Sequence, residues 1–150
     1  MPYFTLQVDP SGRPMVNAVI HPSQARVAAL KAAGQPTPHG IPVRALIDTG
    51  ASGTCIDPMI LQALSLTATG VVAVNTPTTG VTPVNQDQYD IGLIIPGPSQ
   101  THVPLFVGNL PVLAAELFQA QGFHALIGRD VLSMCLMTYD GVNGFFSIAY

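Results

Sequence analysis

The stretch Arg44-Ala45-Leu46-Ile47-Asp48-Thr49-Gly50-Ala51-Ser52 constrains this chain more than any other. Ala45, Leu46 and Ile47 form an apolar run suited to a buried strand, whereas Thr49, Gly50 and Ser52 suit a loop. The run therefore ends on a turn that presents one carboxylate, Asp48, among hydroxyls and free amides that hold the chain around it. Two later stretches give this turn its context. Ala125-Leu126-Ile127-Gly128-Arg129-Asp130-Val131-Leu132 reads as a strand end passing into a helix that extends to Cys135. Tyr139 to Tyr150 reads as a closing hairpin, turning at Asp140-Gly141 or at Asn143-Gly144.

Taken in this order, Asp48-Thr49-Gly50-Ala51, Leu126-Ile127-Gly128 with Gly128-Arg129-Asp130, and the terminal hairpin resemble three elements of retropepsin-like aspartic proteases: the Asp-Thr-Gly-Ala signature, the hydrophobic-hydrophobic-Gly element with its Gly-Arg-Asp/Asn helix start, and the last hairpin of bacterial members. The resemblance runs from about Ile41 to the C-terminus. It implies a mostly β fold, a retropepsin-like closed β-barrel forming a single lobe with a few short helices, in which the strand ending at Ile127 passes beside the catalytic loop. It also implies that Asp48 is the catalytic acid and that the protein is bacterial.

A chain of 150 residues is one domain on size, so residues 1–150 read as a single protease domain without a second catalytic lobe. One Asp-Thr-Gly is present, and this chemistry needs two facing aspartates, so a symmetric homodimer is the simplest assembly. Charged residues make up only 9% of the chain and mean hydropathy is positive, which surface buried against a twin would account for. No apolar run approaches the roughly 18 residues that would span a membrane, because Arg129 and Asp130 interrupt the longest candidate. A net charge of −3, with Arg13, Arg26, Lys31, Arg44 and Arg129 as the cations, leaves no basic patch for nucleic acid.

The Met1-Pro2-Tyr3 start lacks a basic region followed by an apolar core, and two cysteines are too few for a disulfide framework. A cytoplasmic location is therefore expected, with Cys55 and Cys135 as small core residues and a single disulfide as the alternative. His21, His39, His102 and His124 lack metal-ligand spacing, so no metal and no cofactor are expected.

Along the chain, Tyr3 to Val8 and Met15 to Ile20 read as a hairpin around Asp9-Pro10-Ser11-Gly12. A helix opens at His21-Pro22-Ser23 and closes at Gly34. Against minimal retropepsins this stretch, about 22–34, is an insertion, expected first to cover the core, with contact to the twin or to another protein as alternatives. Asp57-Pro58 reads as the cap and first-turn proline of another helix rather than as a second catalytic acid. Gly70 to Val74 and Tyr89 to Ile95 read as strands. The resemblance places a flap over about 71–95, its tip at Thr76 to Val81, with Val74, Thr76, Thr78, Thr79, Gly80 and Val81 as candidate substrate contacts; an ordinary polar hairpin loop is the alternative. Val103 to Val107 reads as a strand, while Leu110 to Gln121 stays open between strand and helix.

Two carboxylates within hydrogen-bonding distance cannot both ionise cheaply and so share a proton. In a dimer, one Asp48 would take a proton from a bound water while its twin donates to the peptide carbonyl. The resemblance further implies that Thr49 turns its hydroxyl to the opposite loop, that the Gly50 carbonyl faces the peptide, and that Ala51 and Val74 line apolar pockets. Ser52 stands where many retropepsins carry an acid paired with the arginine that is Arg129 here. Arg129 is therefore expected to pair with Asp130, Asp57 or Asp140 and, together with Ile127, Gly128 and Asp130, to brace the loop. The terminal strands are expected to pair across the dimer, placing Phe145 to Tyr150 at the interface. The function implied is aspartic endopeptidase action on extended polypeptides; the alternative is a dimeric peptide- or protein-binding module without cleavage.

Overall fold

The computed structural model describes residues 1–75, 81–116 and 119–150. Six strands close a ring: β2 (Met15–Pro22), β3 (Ile41–Ile47), β8 (Ala125–Ile127), β4 (Cys55–Ile56), β7 (Leu105–Ala114) and β6 (Val84–Ile95), with β6 pairing back onto β2. β5 (Gly70–Val74) hangs outside the ring on β6. A second sheet stacks β1 (Tyr3–Gln7), β10 (Phe145–Ala149) and β9 (Leu136–Asp140) in that order. Three short helices, α1 (Gln24–Ala32), α2 (Pro58–Ala63) and α3 (Arg129–Leu132), complete the elements that position the site.

Alternation decides which face each strand buries. Val16, Ala18 and Ile20 of β2, Val43, Ala45 and Ile47 of β3, and Ile91, Leu93 and Ile95 of β6 point into the barrel. Phe4, Phe146 and Ile148 close it from the second sheet. Ile20, Ile56, Ile91 and Leu93 are fully enclosed, each contributing about 1.5–3 kcal/mol by leaving water.

Two expectations about pairing are corrected. β1 and β2 do not form a hairpin: the turn closes, with Gly12 N–H donating to the Asp9 carbonyl at 2.8 Å and Asp9 N–H to the Arg13 carbonyl at 3.0 Å, but the strands then join different sheets. Pro14 has no N–H with which to continue the ladder, and its carbonyl accepts from Ile47 N–H at 3.0 Å instead. The termini also pair within the chain, Tyr3 opposite Ala149, so β10 has both edges filled by β1 and β9. This pairing puts Phe4 and Leu6 on the same face as Phe146 and Ile148, and so seals the core in cis.

α1 has its N-cap at Ser23, whose Oγ accepts from Arg26 N–H at 3.2 Å. It covers little core, since Leu30 is its one buried residue; the Ala, Arg and Lys positions of this helix stay in solvent. Asp57 caps α2 by accepting Met59 N–H at 2.9 Å. The open stretch is strand through Ala114, and its helix-forming composition yields only a 3₁₀ turn at Gln119–Gln121, with Leu117 and Phe118 outside the described residues. The expected helix to Cys135 is shorter and ends at Leu132.

The closing hairpin turns around Asp140, whose carboxylate accepts from Val142 N–H, Asn143 N–H and Asn143 Nδ2. Gly144 completes the turn at a φ of 73°, a left-handed conformation that suits glycine. The Asn143 side-chain bond, with its backbone bond, holds the Asp140 carboxyl below its ordinary range. The Arg13 guanidinium does the same to Asp9, bonding it at 2.7 Å. Folded-state values below the unfolded ones mean that both groups contribute stability above about pH 4 and lose it as pH falls through the lowered values. Acid titration followed by circular dichroism should therefore show Asp140→Asn and Asp9→Asn with shallower acid loss of stability than wild type.

Candidate active site

Asp48 sits at the end of β3, half-buried, where the parallel strand β8 runs beside it with Ile47 opposite Ile127. Its backbone N–H donates to the Ile127 carbonyl at 2.9 Å, extending the strand pairing by one residue before the chain turns away. The turn is closed by the side chain itself: Oδ1 accepts Gly50 N–H at 2.8 Å, and Ala51 N–H reaches the Asp48 carbonyl at 3.3 Å. Asp48 Oδ2 has no hydrogen bond among the described residues. One oxygen is thus fixed and the other is presented.

Residues 127–130 brace this loop along its length. Arg129 N–H donates to the Ala51 carbonyl at 2.9 Å, and its guanidinium donates through Nη1 to the Thr49 carbonyl at 3.3 Å. Arg129 makes no ion pair with Asp130, Asp57 or Asp140 among the described residues, the only ion pair there being Arg13 with Asp9. A backbone carbonyl takes the place of the expected acid partner; Asp57 Oδ1 accepts in the α2 cap and Asp140 accepts in the hairpin turn. Asp130 is committed as well, to Thr54, whose N–H and hydroxyl it accepts at 2.8 Å each.

Gly128 lies against Gly53 so closely that a Cβ placed on it would stand 2.6 Å from the Gly53 carbonyl carbon and oxygen. Ala51 is half-buried, and Thr49, Gly50 and Ser52 are exposed. Thr54 is the residue that sequence reasoning missed. It is 1% exposed, and the available signal was a polar residue set directly before a strand that runs through the core.

β5 and β6 form the expected hairpin, Gly70 opposite Gln88 through Val74 opposite Val84. It is longer than the sequence suggested, since β6 begins at Val84 rather than Tyr89. Val74 is half-buried at its end, and Val71, Val72, Val81 and Val84 are exposed. Thr76, Thr78, Thr79 and Gly80 lie outside the described residues.

Cys55 follows the loop, half-buried against Met15, Ala115 and Phe123. Burial first, then the Asp130 and Asp48 carboxylates, push its thiol up to about 11. Burial also raises Cys135. Both are free thiols. A disulfide-exchange reagent at pH 8 should modify both slowly, Cys55 the more slowly, because only a minute thiolate fraction is available there to attack.

A family model described as aspartyl protease matches residues 34–131, a span that holds β3, the Asp48 loop, β8 and most of α3. The chain belongs to the aspartyl protease family. Among solved structures, the chain is similar to a retropepsin-like aspartic protease from Rickettsia conorii, at 12% identity and a TM-score of 0.59, over 97% of this chain and 89% of that one. The barrel is therefore retropepsin-like in fold. Lesser similarity extends to the simian foamy virus (mac) protease, with 17% identity, a TM-score of 0.46 and coverage of 79% and 91%. The EIAV protease, in a structure complexed with an inhibitor, matches at 14% identity and a TM-score of 0.48, covering 86% and 93%. No curated protein matches. No helix among the described residues is long and apolar enough to cross a membrane.

Proposed function

We propose that the chain is an aspartic endopeptidase acting as a symmetric homodimer, with Asp48 of each chain forming a shared-proton dyad. The supporting observation is the Asp48 carboxylate itself, with Oδ1 tied to Gly50 N–H and Oδ2 presented at the end of a strand braced by the Gly128-Arg129-Asp130 segment. One such carboxylate per chain makes half a dyad, and a two-fold axis supplies the other half.

In the dyad the ionised Asp48 takes a proton from a bound water, and the protonated one donates to the scissile carbonyl oxygen. The water oxygen then bonds to the carbonyl carbon, and proton transfer to the nitrogen releases the amine. Thr49 and Gly50 are exposed, which supports a role for the Thr49 hydroxyl in bonding the partner's loop across the two-fold axis. The β5–β6 hairpin projects from the ring with exposed valines, which fits a flap that covers an extended, apolar peptide as an added strand.

Ser52, in place of an acid, favours a second reading, in which the same dimer grips peptides without cutting them. Digestion of a pool of unfolded peptides between pH 4 and 7, read by mass spectrometry, separates the two. The protease reading expects cuts between apolar residues, with a rate per chain that falls on dilution as dimers dissociate. Retained peptide binding with no cuts would favour the second.

A further inference from the structure

We propose that Thr54 and Asp130 are positioning residues for Asp48, a buried hydroxyl–carboxylate clamp that fixes the far end of the Asp48 loop and so the direction in which Oδ2 is presented. This rests on the reading of Asp48 as the catalytic acid. Thr54 uses all of its polar groups. Its Oγ1 donates to Asp130 Oδ1 at 2.8 Å and accepts Gly128 N–H at 3.2 Å; its N–H donates to Asp130 Oδ2 at 2.8 Å; its carbonyl accepts Leu113 N–H at 3.1 Å. Asp130 Oδ1 also accepts Val131 N–H at 2.9 Å. One carboxylate thereby joins the loop, α3 and, through Thr54, the strand β7.

The clamp reaches Asp48 because the intervening chain has little support of its own. Between Asp48 and Thr54 the loop bonds to itself only near its start, through Gly50 N–H to Asp48 Oδ1 at 2.8 Å and Ala51 N–H to the Asp48 carbonyl at 3.3 Å, and leans on Arg129 at Thr49 and Ala51; Ser52 N–H and Gly53 N–H have no hydrogen bond among the described residues. Its upstream end is held by Ile127 and its downstream end by Thr54. A hydroxyl hydrogen bond to a carboxylate is charge-assisted and directional, so it sets position more sharply than apolar packing would. Two carboxylates that share a proton tolerate little displacement, and an error of about 1 Å at a reacting group costs on the order of 100-fold in rate.

The test compares Thr54→Val, which keeps the side-chain shape and removes the hydroxyl, with Thr54→Ser, which restores it. Two measurements are made on the dimer: kcat and KM on a cleaved peptide, and amide hydrogen exchange across the chain. Thr54→Val is expected to lower kcat about 30- to 100-fold with KM within about twofold. Exchange should quicken at least about tenfold at Gly50, Ala51, Thr54 and Gly128, whose amides are hydrogen-bonded in the loop and the clamp, and β6 and β10 should stay as protected as in wild type. Thr54→Ser should recover both. If Thr54→Val does not fold, Asp130→Ala takes its place, removing both acceptors of the clamp, with the same local loosening and fall in kcat expected.

Unchanged kcat and unchanged loop exchange would overturn the clamp, as would a loss of protection spread evenly over the barrel. If the wild-type dimer cleaves nothing, the catalytic reading fails and the positioning role with it, while loop exchange still reports whether the hydroxyl holds the segment.

Discussion

Asp48→Asn is expected to lower kcat/KM on any cleaved peptide by at least about 10³-fold, because an amide can neither accept the proton of water nor pass one to the leaving nitrogen. The fold should not register the change. Asn retains an oxygen able to accept Gly50 N–H, the bond that closes the turn, so stability should stay within about 0.5 kcal/mol of wild type. Dimerisation should persist, since two facing amides can pair N–H to carbonyl where the carboxyls share a proton. Peptide cleavage and thermal unfolding of the same preparation check both halves. Residual cleavage within tenfold of wild type would mean that Asp48 is not the acid.

Gly128→Ala is expected to cost about 3 kcal/mol, among the larger effects of a single methyl group. The backbone at Gly128 is extended, with φ −94° and ψ −173°, so alanine meets no conformational barrier there. The cost is a collision. The added Cβ would lie 2.6 Å from the Gly53 carbonyl carbon and oxygen and 3.0 Å from its nitrogen, and backbone cannot rotate aside as a side chain can. Either β8 and α3 move off the loop or the loop moves off them, so activity should fall along with stability. A drop in Tm of roughly 10 °C is expected for a chain of this size. Gly70→Ala, where a Cβ meets nothing within 4 Å, is the control and should change Tm little.

Much of the site was legible because its determinants are local. An apolar run that stops at an acid, a small hydroxyl residue and glycine describes a strand ending in an Asx-type turn, and the side chain of Asp48 closes that turn itself. The element from Ile127 to Asp130 became meaningful through resemblance, and the structure sets it alongside the loop. Other features depended on distant pairings that no local pattern carries. β1 alternates as a hairpin strand would, yet its partner is β10 at the other end of the chain, and Pro14 alone hinted that the short-range ladder stops. The partner of Arg129 could not be chosen by charge, since its guanidinium bonds the Thr49 carbonyl rather than an acid, and Asp130 is taken by Thr54. Thr54 itself looked like one more loop threonine, because its role exists only where β8 and α3 are folded against it. Leu110 to Ala114 was ambiguous by composition and became strand through tertiary pairing with β6.

Assembly of one catalytic centre from two copies of Asp48 is tested most directly by mixing. Wild-type and Asp48→Asn chains are combined in varying ratio at constant total concentration, allowed to exchange subunits, and assayed on one peptide. If each centre needs both aspartates, activity follows the square of the wild-type fraction, so an equal mixture retains about one quarter of the wild-type rate under random pairing. A linear fall, with about one half retained at equal mixing, would show that each chain works with its own Asp48 alone and would contradict the shared dyad.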